Sequence, residues 1–128
     1  MAQIQTNGNN PTAAVERTLP HDLMAEQSTL GGMMISMDAV AVANEYVKSI
    51  DFYAPKHEHI YDSIMSLFAK GDPVDAISVT AELTRNGNLV RAGGAEYIHQ
   101  LTSVVPTAAN VDYYAKIVQE KSDRKSTR

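Results

Sequence analysis

The sequence contains no cysteine and no tryptophan among its 128 residues. Without cysteine, the chain has no disulfide scaffold, no thiolate metal site and no cysteine nucleophile. Its apolar runs are far shorter than the roughly 20 residues that a membrane-spanning helix needs. The first residues also lack the positive patch and apolar stretch of a signal peptide. These absences predict a small soluble protein without a membrane span, located in the cytoplasm.

Apolar residues make up 44% of the chain, which is enough for the core of one domain and excludes disorder over the whole length. The net charge of -4 is unevenly distributed, because residues 116–128 carry +3 and the remainder carries -7. A basic end of this kind is typical of a solvated helix terminus. The acidic body repels the phosphate backbone of nucleic acids, so direct, specific DNA binding is not expected.

The side chains that catalysis or metal binding would need do not occur in the required patterns. No segment reads Gly-x-x-x-x-Gly-Lys-Ser/Thr, the loop that cradles nucleotide phosphates. His57 and His59 are two residues apart and would point to different faces of a helix, while the pair of His59 and Asp62 lacks a third ligand. We therefore predict no catalytic residue, no cofactor and no metal site. A binding or assembly module is favoured over an enzyme.

The apolar residues recur at helical spacing along almost the whole chain, and no segment of useful length alternates as a strand would. This spacing predicts helices over about 22–34, 38–50, 55–70, 78–85 and 95–104, and from about 109 onward. Asp22 and Ser78 are predicted to cap the first and fourth helices, and Gly71 to end the third. The expected architecture is all-α, a compact bundle of five to six short helices.

The composition also changes along the chain. Residues 1–18 are polar and rich in turn formers, which predicts a disordered leader. The helical domain is expected over residues 19–121, and residues 122–128 are expected to form a polar basic tail.

Several residues within this domain have plain structural interpretations. Gly31 would permit the close approach of two helices, because a side chain there would clash. Phe52 and Tyr53 would place their rings in the core. Gly93 and Gly94 would shape a turn. Pro106 would separate the last two helices.

An ordered set of short motifs extends from about residue 19 to residue 121. It comprises Leu19-Pro20, Ala25-Glu26-Gln27-Ser28, Leu30-Gly31-Gly32-Met33, Asp51-Phe52-Tyr53, His57, Ile60-Tyr61, Gly71-Asp72-Pro73-Val74-Asp75, Leu83, Gly93-Gly94, Tyr97, Leu101, Pro106-Thr107-Ala108-Ala109-Asn110, Tyr114-Ala115 and Ile117-Val118-Gln119-Glu120-Lys121. Each motif is weak alone, but the ordered set is specific. With it the chain resembles the N-terminal domain of the bacterial replicative DNA helicase, the DnaB type, without the ATPase domain.

The resemblance implies a non-catalytic, all-α head that is joined to a separate ATPase motor. In such helicases the heads form a collar, a trimer of dimers, on one side of the hexameric ring. The collar stabilises the ring, offers a docking surface for primase and takes part in contacts with helicase loaders. The phosphate loop and arginine finger of the motor have no counterpart in this sequence, so DNA unwinding is not expected of this chain by itself.

The sequence departs from the family pattern after Lys121. The family continues there with apolar residues into a helical hairpin that pairs two subunits, whereas residues 122–128 contain no apolar stripe. Two interpretations follow: a fragment of a divergent helicase, or a stand-alone head-only protein of a phage or mobile element that modulates a helicase. Without the hairpin, we predict a monomer or a weak head-to-head dimer.

Five apolar residues are candidates for contacts with helicase subunits, primase or a loader. Met33, Met34 and Met37 cluster near the end of the first predicted helix, where flexible methionine side chains can adapt to a partner. Tyr114 and Val118 lie on one stripe of the sixth. A different class of function, a small winged-helix-like DNA reader, is suggested by residues 70–94, but its recognition helix would offer chiefly Arg85 to a groove.

Overall fold

The computed structural model of the chain describes residues 22–104 and 110–126, with side chains as far as residue 123. Its α-helices are α1 (Leu23–Ile35), α2 (Met37–Tyr46), α3 (Pro55–Lys70), α4 (Ala76–Arg85), α5 (Gly94–Val104) and α6 (Val111–Ser126). No strand occurs in the two described ranges. The all-α prediction is therefore confirmed. The predicted leader over residues 1–18 and the helix separator Pro106 lie outside the described residues.

Helix α1 is buried on nearly all sides because it lies between the other helices. It contacts α2, α3, α5 and α6. Leu30 and Met33 are fully buried, and Gly31 is buried beside them. The helix begins where the sequence predicted, since the carboxylate of Asp22 accepts a hydrogen bond of 3.0 Å from the backbone N–H of Ala25.

The second helix is shorter than predicted. It ends at Tyr46, and a 3-10 turn over Ser49–Asp51 follows, so Ile50 is 74% exposed instead of joining the apolar stripe. Val47 is in extended conformation because its buried carbonyl accepts a hydrogen bond of 2.9 Å from the hydroxyl of Tyr61 on α3. A contact from another helix thus ends α2, which the local sequence pattern could not indicate.

The start of α4 also differs from the prediction. The helix begins at Ala76, and its cap is Asp75, whose carboxylate accepts a hydrogen bond of 2.7 Å from the backbone N–H of Ser78. The predicted cap, Ser78, is instead the residue that donates its backbone N–H. Carboxylate caps satisfy the free N–H groups of a first helical turn, so Asp75 serves this purpose three residues earlier than expected.

The connection from α4 to α5 is a series of turns over residues 86–93. Ala92 is fully buried, whereas Val90 is 90% exposed. A winged-helix protein would need strands here for its wing. The suggested likeness of residues 70–94 to a winged-helix DNA reader is therefore wrong.

Helix α6 packs against α1 and α2 and continues through Ser126, past the predicted end of the domain at Lys121. The hydroxyl of Ser122 donates a hydrogen bond of 2.6 Å to a carboxylate oxygen of Asp51 in the 3-10 turn. Ser122 is 7% exposed, so this part of the helix still belongs to the packed structure. None of the described helices is both long enough and apolar enough to cross a bilayer.

The environment of Tyr61 predicts a loss of stability in strong alkali. Burial and the nearby carboxylates of Asp51 and Asp62 raise the pKa of Tyr61 from 10.0 to about 12. A raised folded-state pKa stabilises the fold below pH 10, and this contribution is lost between pH 10 and about 12. We expect the free energy of unfolding to fall by about 2 kcal/mol more over this range than in Tyr61→Phe, measured by urea unfolding.

The control for this experiment is Tyr113→Phe, since Tyr113 is 62% exposed on α6. This variant is expected to keep the steep alkaline loss of the parent protein. Equal pH profiles for the parent and Tyr61→Phe would contradict the prediction.

Candidate functional site

The most elaborate polar arrangement among the described residues joins the buried Glu26 and His57 to the partly buried Tyr97, and it is referred to as the Glu26 cluster. Glu26 comes from α1, His57 from the first turn of α3 and Tyr97 from α5. Glu26 and His57 are each 1% exposed, although charged and polar side chains are rarely buried so completely unless they are paired. Three motifs that are distant in the sequence thus meet at one point of the fold.

The carboxylate of Glu26 has three partners. The backbone N–H of Tyr53 donates to it at 2.6 Å and that of Ala54 at 3.4 Å. Nδ1 of His57 lies 2.7 Å from Oε1, the oxygen that also accepts from Ala54. A buried carboxylate is stabilised by such contacts, and these also satisfy two N–H groups of the connector that precedes α3.

The imidazole of His57 is held from both sides. Opposite Glu26, its Nε2 lies 2.6 Å from the hydroxyl of Tyr97, and the two rings stack with centroids 5.9 Å apart. The hydroxyl of Tyr97 also accepts a hydrogen bond of 3.2 Å from the side-chain amide of Gln27. Nζ of Lys56 lies 4.0 Å from the centre of the Tyr97 ring, a cation–π distance.

Gly93 makes room for this arrangement. Its φ of +101° is in the left-handed region, and a Cβ there would lie 2.8 Å from Cδ2 of Tyr97. Gly94 has a φ of +87° but faces open space. The predicted turn therefore has two distinct glycines, one required by backbone conformation alone and one required also by the Tyr97 ring.

Phe52 and Tyr53 were both expected in the core, and the structure separates them. Phe52 is 1% exposed and packs on Tyr61, with ring centroids 5.1 Å apart. The ring of Tyr53 is 51% exposed, so its predicted core position is wrong. Consecutive residues of an extended connector point in opposite directions, and it is the backbone of Tyr53 that reaches Glu26.

Sequence reasoning did not identify Glu26 as the centre of this cluster, although a signal was present. Glu26 is four residues before Leu30 and seven before Met33, which places a carboxylate on the apolar face of α1. An acidic residue on such a face requires a partner. The sequence does not indicate that the partner is His57, because 31 residues separate them.

The Glu26 cluster is suited to hold helices together. A Glu–His–hydroxyl chain resembles the arrangement that activates a nucleophile, but here the carboxylate and imidazole are sealed from solvent. The cluster therefore joins α1, the connector, α3 and α5.

A second buried carboxylate joins α3 to α4. Glu82 is 5% exposed and accepts hydrogen bonds from Ser66 at 3.0 Å and from Lys70 at 3.4 Å. It is also paired with the guanidinium of Arg85. Arg85, the residue that a recognition helix would have offered to DNA, thus lies against a carboxylate of its own helix.

The structure divides the five predicted contact residues into core and surface. Met33, Met34 and Val118 are 0%, 4% and 1% exposed, so their side chains are core residues of this chain. Tyr114 is partly buried on α6. Met37 is 43% exposed at the start of α2. The helical spacing of apolar residues could not separate core from surface, because both kinds of residue lie on the same stripe.

Exposed apolar side chains occur at the junction of the first two helices. Ile35 at the end of α1 is 46% exposed, and together with Met37 it forms what we call the α1–α2 corner. Single exposed apolar residues are ordinary, but two neighbours at a tight helix junction form a small apolar surface. Of the three predicted methionines, Met37 is therefore the one whose side chain is exposed in this chain.

Comparison with known proteins identifies the family. Residues 18–120 match the family model described as the DnaB-like helicase N terminal domain. Over 107 residues the chain is 64% identical to the replicative DNA helicase DnaB of Leifsonia xyli subsp. xyli, a match covering 84% of this chain and 23% of the relative. It is 54% identical over 112 residues to DnaB of Mycobacterium leprae, covering 88% of this chain and 18% of that protein. The chain thus spans less than a quarter of the length of these curated relatives.

The fold agrees with the sequence match. The crystal structure of the N-terminal domain of DnaB helicase from Mycobacterium tuberculosis superposes with a TM-score of 0.80 at 54% sequence identity. The match covers 82% of this chain and 73% of that one. On the sequence match and the shared all-α fold together, the chain belongs to the family of DnaB-like replicative helicase N-terminal domains.

Proposed function

We propose that this chain is a non-catalytic docking and assembly domain of a replicative DNA helicase. In the cytoplasm, it contributes to a collar of helicase subunits and contacts primase and a helicase loader. The observation that carries the proposal is the match of residues 18–120 to the helicase N-terminal domain. The interhelical contacts of the Glu26 cluster support it, since a preorganised surface lowers the cost of docking.

We place the primase contact on the α1–α2 corner. Ile35 and Met37 offer apolar area that is free in this chain, and apolar anchors carry much of the energy of protein interfaces. Contact through DNA is not favoured, because the body of the chain is acidic and Arg85 is already paired with Glu82. The proposal thus assigns protein partners to a defined surface.

The test uses purified primase from the same genome and measures its binding by isothermal titration calorimetry. Met37→Glu places a charge on the α1–α2 corner and is expected to weaken binding about tenfold or more. The matched control is Ile77→Glu, because Ile77 is 73% exposed on α4, and it is expected to bind as the parent does.

Two results would count against this proposal in different ways. Equal binding by parent and Met37→Glu would remove the α1–α2 corner as the contact while leaving docking intact. A parent chain that binds neither primase, nor a loader, nor the motor-containing helicase would overturn the docking function itself.

A further inference from the structure

The donors and acceptors of the Glu26 cluster constrain where its protons lie. An ionised carboxylate only accepts hydrogen bonds, so the contact of 2.7 Å between Glu26 and Nδ1 of His57 places a proton on Nδ1. In a neutral imidazole the opposite nitrogen is then an acceptor. The hydroxyl of Tyr97, 2.6 Å away, is the group that can donate to it.

The contact of Tyr97 with Gln27 is consistent with donation from Tyr97 to His57. Its oxygen accepts from the amide of Gln27 at 3.2 Å, which leaves its own O–H available for His57. All members then donate the same way, from Gln27 through Tyr97 and His57 to Glu26. The reverse direction would require Glu26 to donate a proton to Nδ1 of His57, which an ionised carboxylate cannot do.

We propose that these four side chains form a one-directional hydrogen-bond chain that holds His57 as the neutral Nδ1–H tautomer and acts as the latch of α5. The chain starts at Gln27 on α1, passes through Tyr97 on α5 and His57 on α3, and returns to Glu26 on α1. Helix α5 is therefore tied to two other helices through one hydroxyl group.

The latch acts at the N-terminal end of α5, so it controls local opening of this helix. Tyr97 lies in the first turn of α5, directly after the turn that contains Gly93. Further along the helix, the side chains of Ile98 and Leu101 are buried in the core. The charged groups that face the cluster are Glu26 from α1 and Lys56 from α3, over the Tyr97 ring. Loss of the hydroxyl removes the polar tie and leaves the apolar contacts, so α5 opens locally more often than the rest of the fold.

The first test reads the tautomer directly in the parent protein. Nitrogen-15 chemical shifts of the histidine rings at pH 8 distinguish a protonated from a bare ring nitrogen. We expect His57 to show a protonated Nδ1 and a bare Nε2. The Nε2–H tautomer, or protons on both nitrogens at this pH, would overturn the one-directional chain.

The second test reads the latch. Tyr97→Phe keeps the ring beside His57 and Lys56 and removes only the hydroxyl. Amide hydrogen exchange of residues 98–104 is expected to accelerate about tenfold relative to the parent, while the amides of α2 change far less. Tyr113→Phe is the control, because it removes an exposed hydroxyl and is expected to change neither region. Equal acceleration in α2 and α5, or no acceleration in α5, would contradict the latch.

Discussion

Replacing Glu26 by alanine is expected to lower the free energy of unfolding by about 3–5 kcal/mol, because three donors lose their acceptor at about 1–3 kcal/mol each, partly offset by the removal of a buried carboxylate. The variant leaves Nδ1 of His57 and the backbone N–H groups of Tyr53 and Ala54 without their acceptor. Because the side chain is 1% exposed, water does not readily replace the lost carboxylate. Urea unfolding followed by circular dichroism measures the effect as a fall in midpoint at unchanged slope.

The matched control is Glu45→Ala, which removes an exposed glutamate from α2. Its effect is expected to stay within about 0.5 kcal/mol, as for most surface substitutions. A similarly small effect of Glu26→Ala would show that the Glu26 cluster does not stabilise the fold. The role assigned to it, joining α1, α3 and α5, would then be wrong.

Gly93→Ala is expected to destabilise the protein by about 3 kcal/mol, for two reasons that add. A φ of +101° is strained for any residue with a Cβ, and this Cβ would lie 2.8 Å from the ring of Tyr97. The ring must then move, and its hydroxyl leaves His57 and Gln27. Thermal and urea unfolding measure the loss, and the hydrogen exchange of α5 shows whether the latch opens.

Gly87→Ala separates the cost of backbone strain from the cost of the clash with Tyr97. Gly87 has a φ of +75°, but nothing lies within 4 Å of the Cβ position. It therefore carries the backbone strain without the clash, and a cost of about 1–2 kcal/mol is expected. If both variants lose the same stability, the contact of Gly93 with Tyr97 has no energetic importance.

The helical pattern of this chain was largely predictable because its signals are local. The third predicted helix, from Pro55 to Lys70 and ended by Gly71, is observed with the same bounds. Proline at the first helical position and glycine in left-handed conformation at the end act within a few residues of the chain. The cap of α1 at Asp22 is local in the same sense.

The sequence-based predictions were wrong where a residue distant in the chain determines the end of a helix or the burial of a side chain. Helix α2 ends at Tyr46 because Tyr61 binds the carbonyl of Val47, fourteen residues away in the sequence. Met33 and Met34 are buried because α1 is surrounded by other helices, whereas Met37 beyond the helix end is exposed. A periodic pattern reports which residues share a face, but it does not report what covers that face.

The sequence by itself determined the all-α class, most helix limits and, through its ordered motifs, the likeness to the replicative helicase head. These depend on local propensity, on capping and on residue identities that can be compared directly. Only the tertiary structure decided that Glu26, His57 and Tyr97, far apart in the chain, meet in one cluster. It alone also decided that Met33 and Met34 are buried whereas Met37 is exposed. The physical reason is that hydrogen-bond partners and solvent exposure are properties of packing, which arises between helices and not within them.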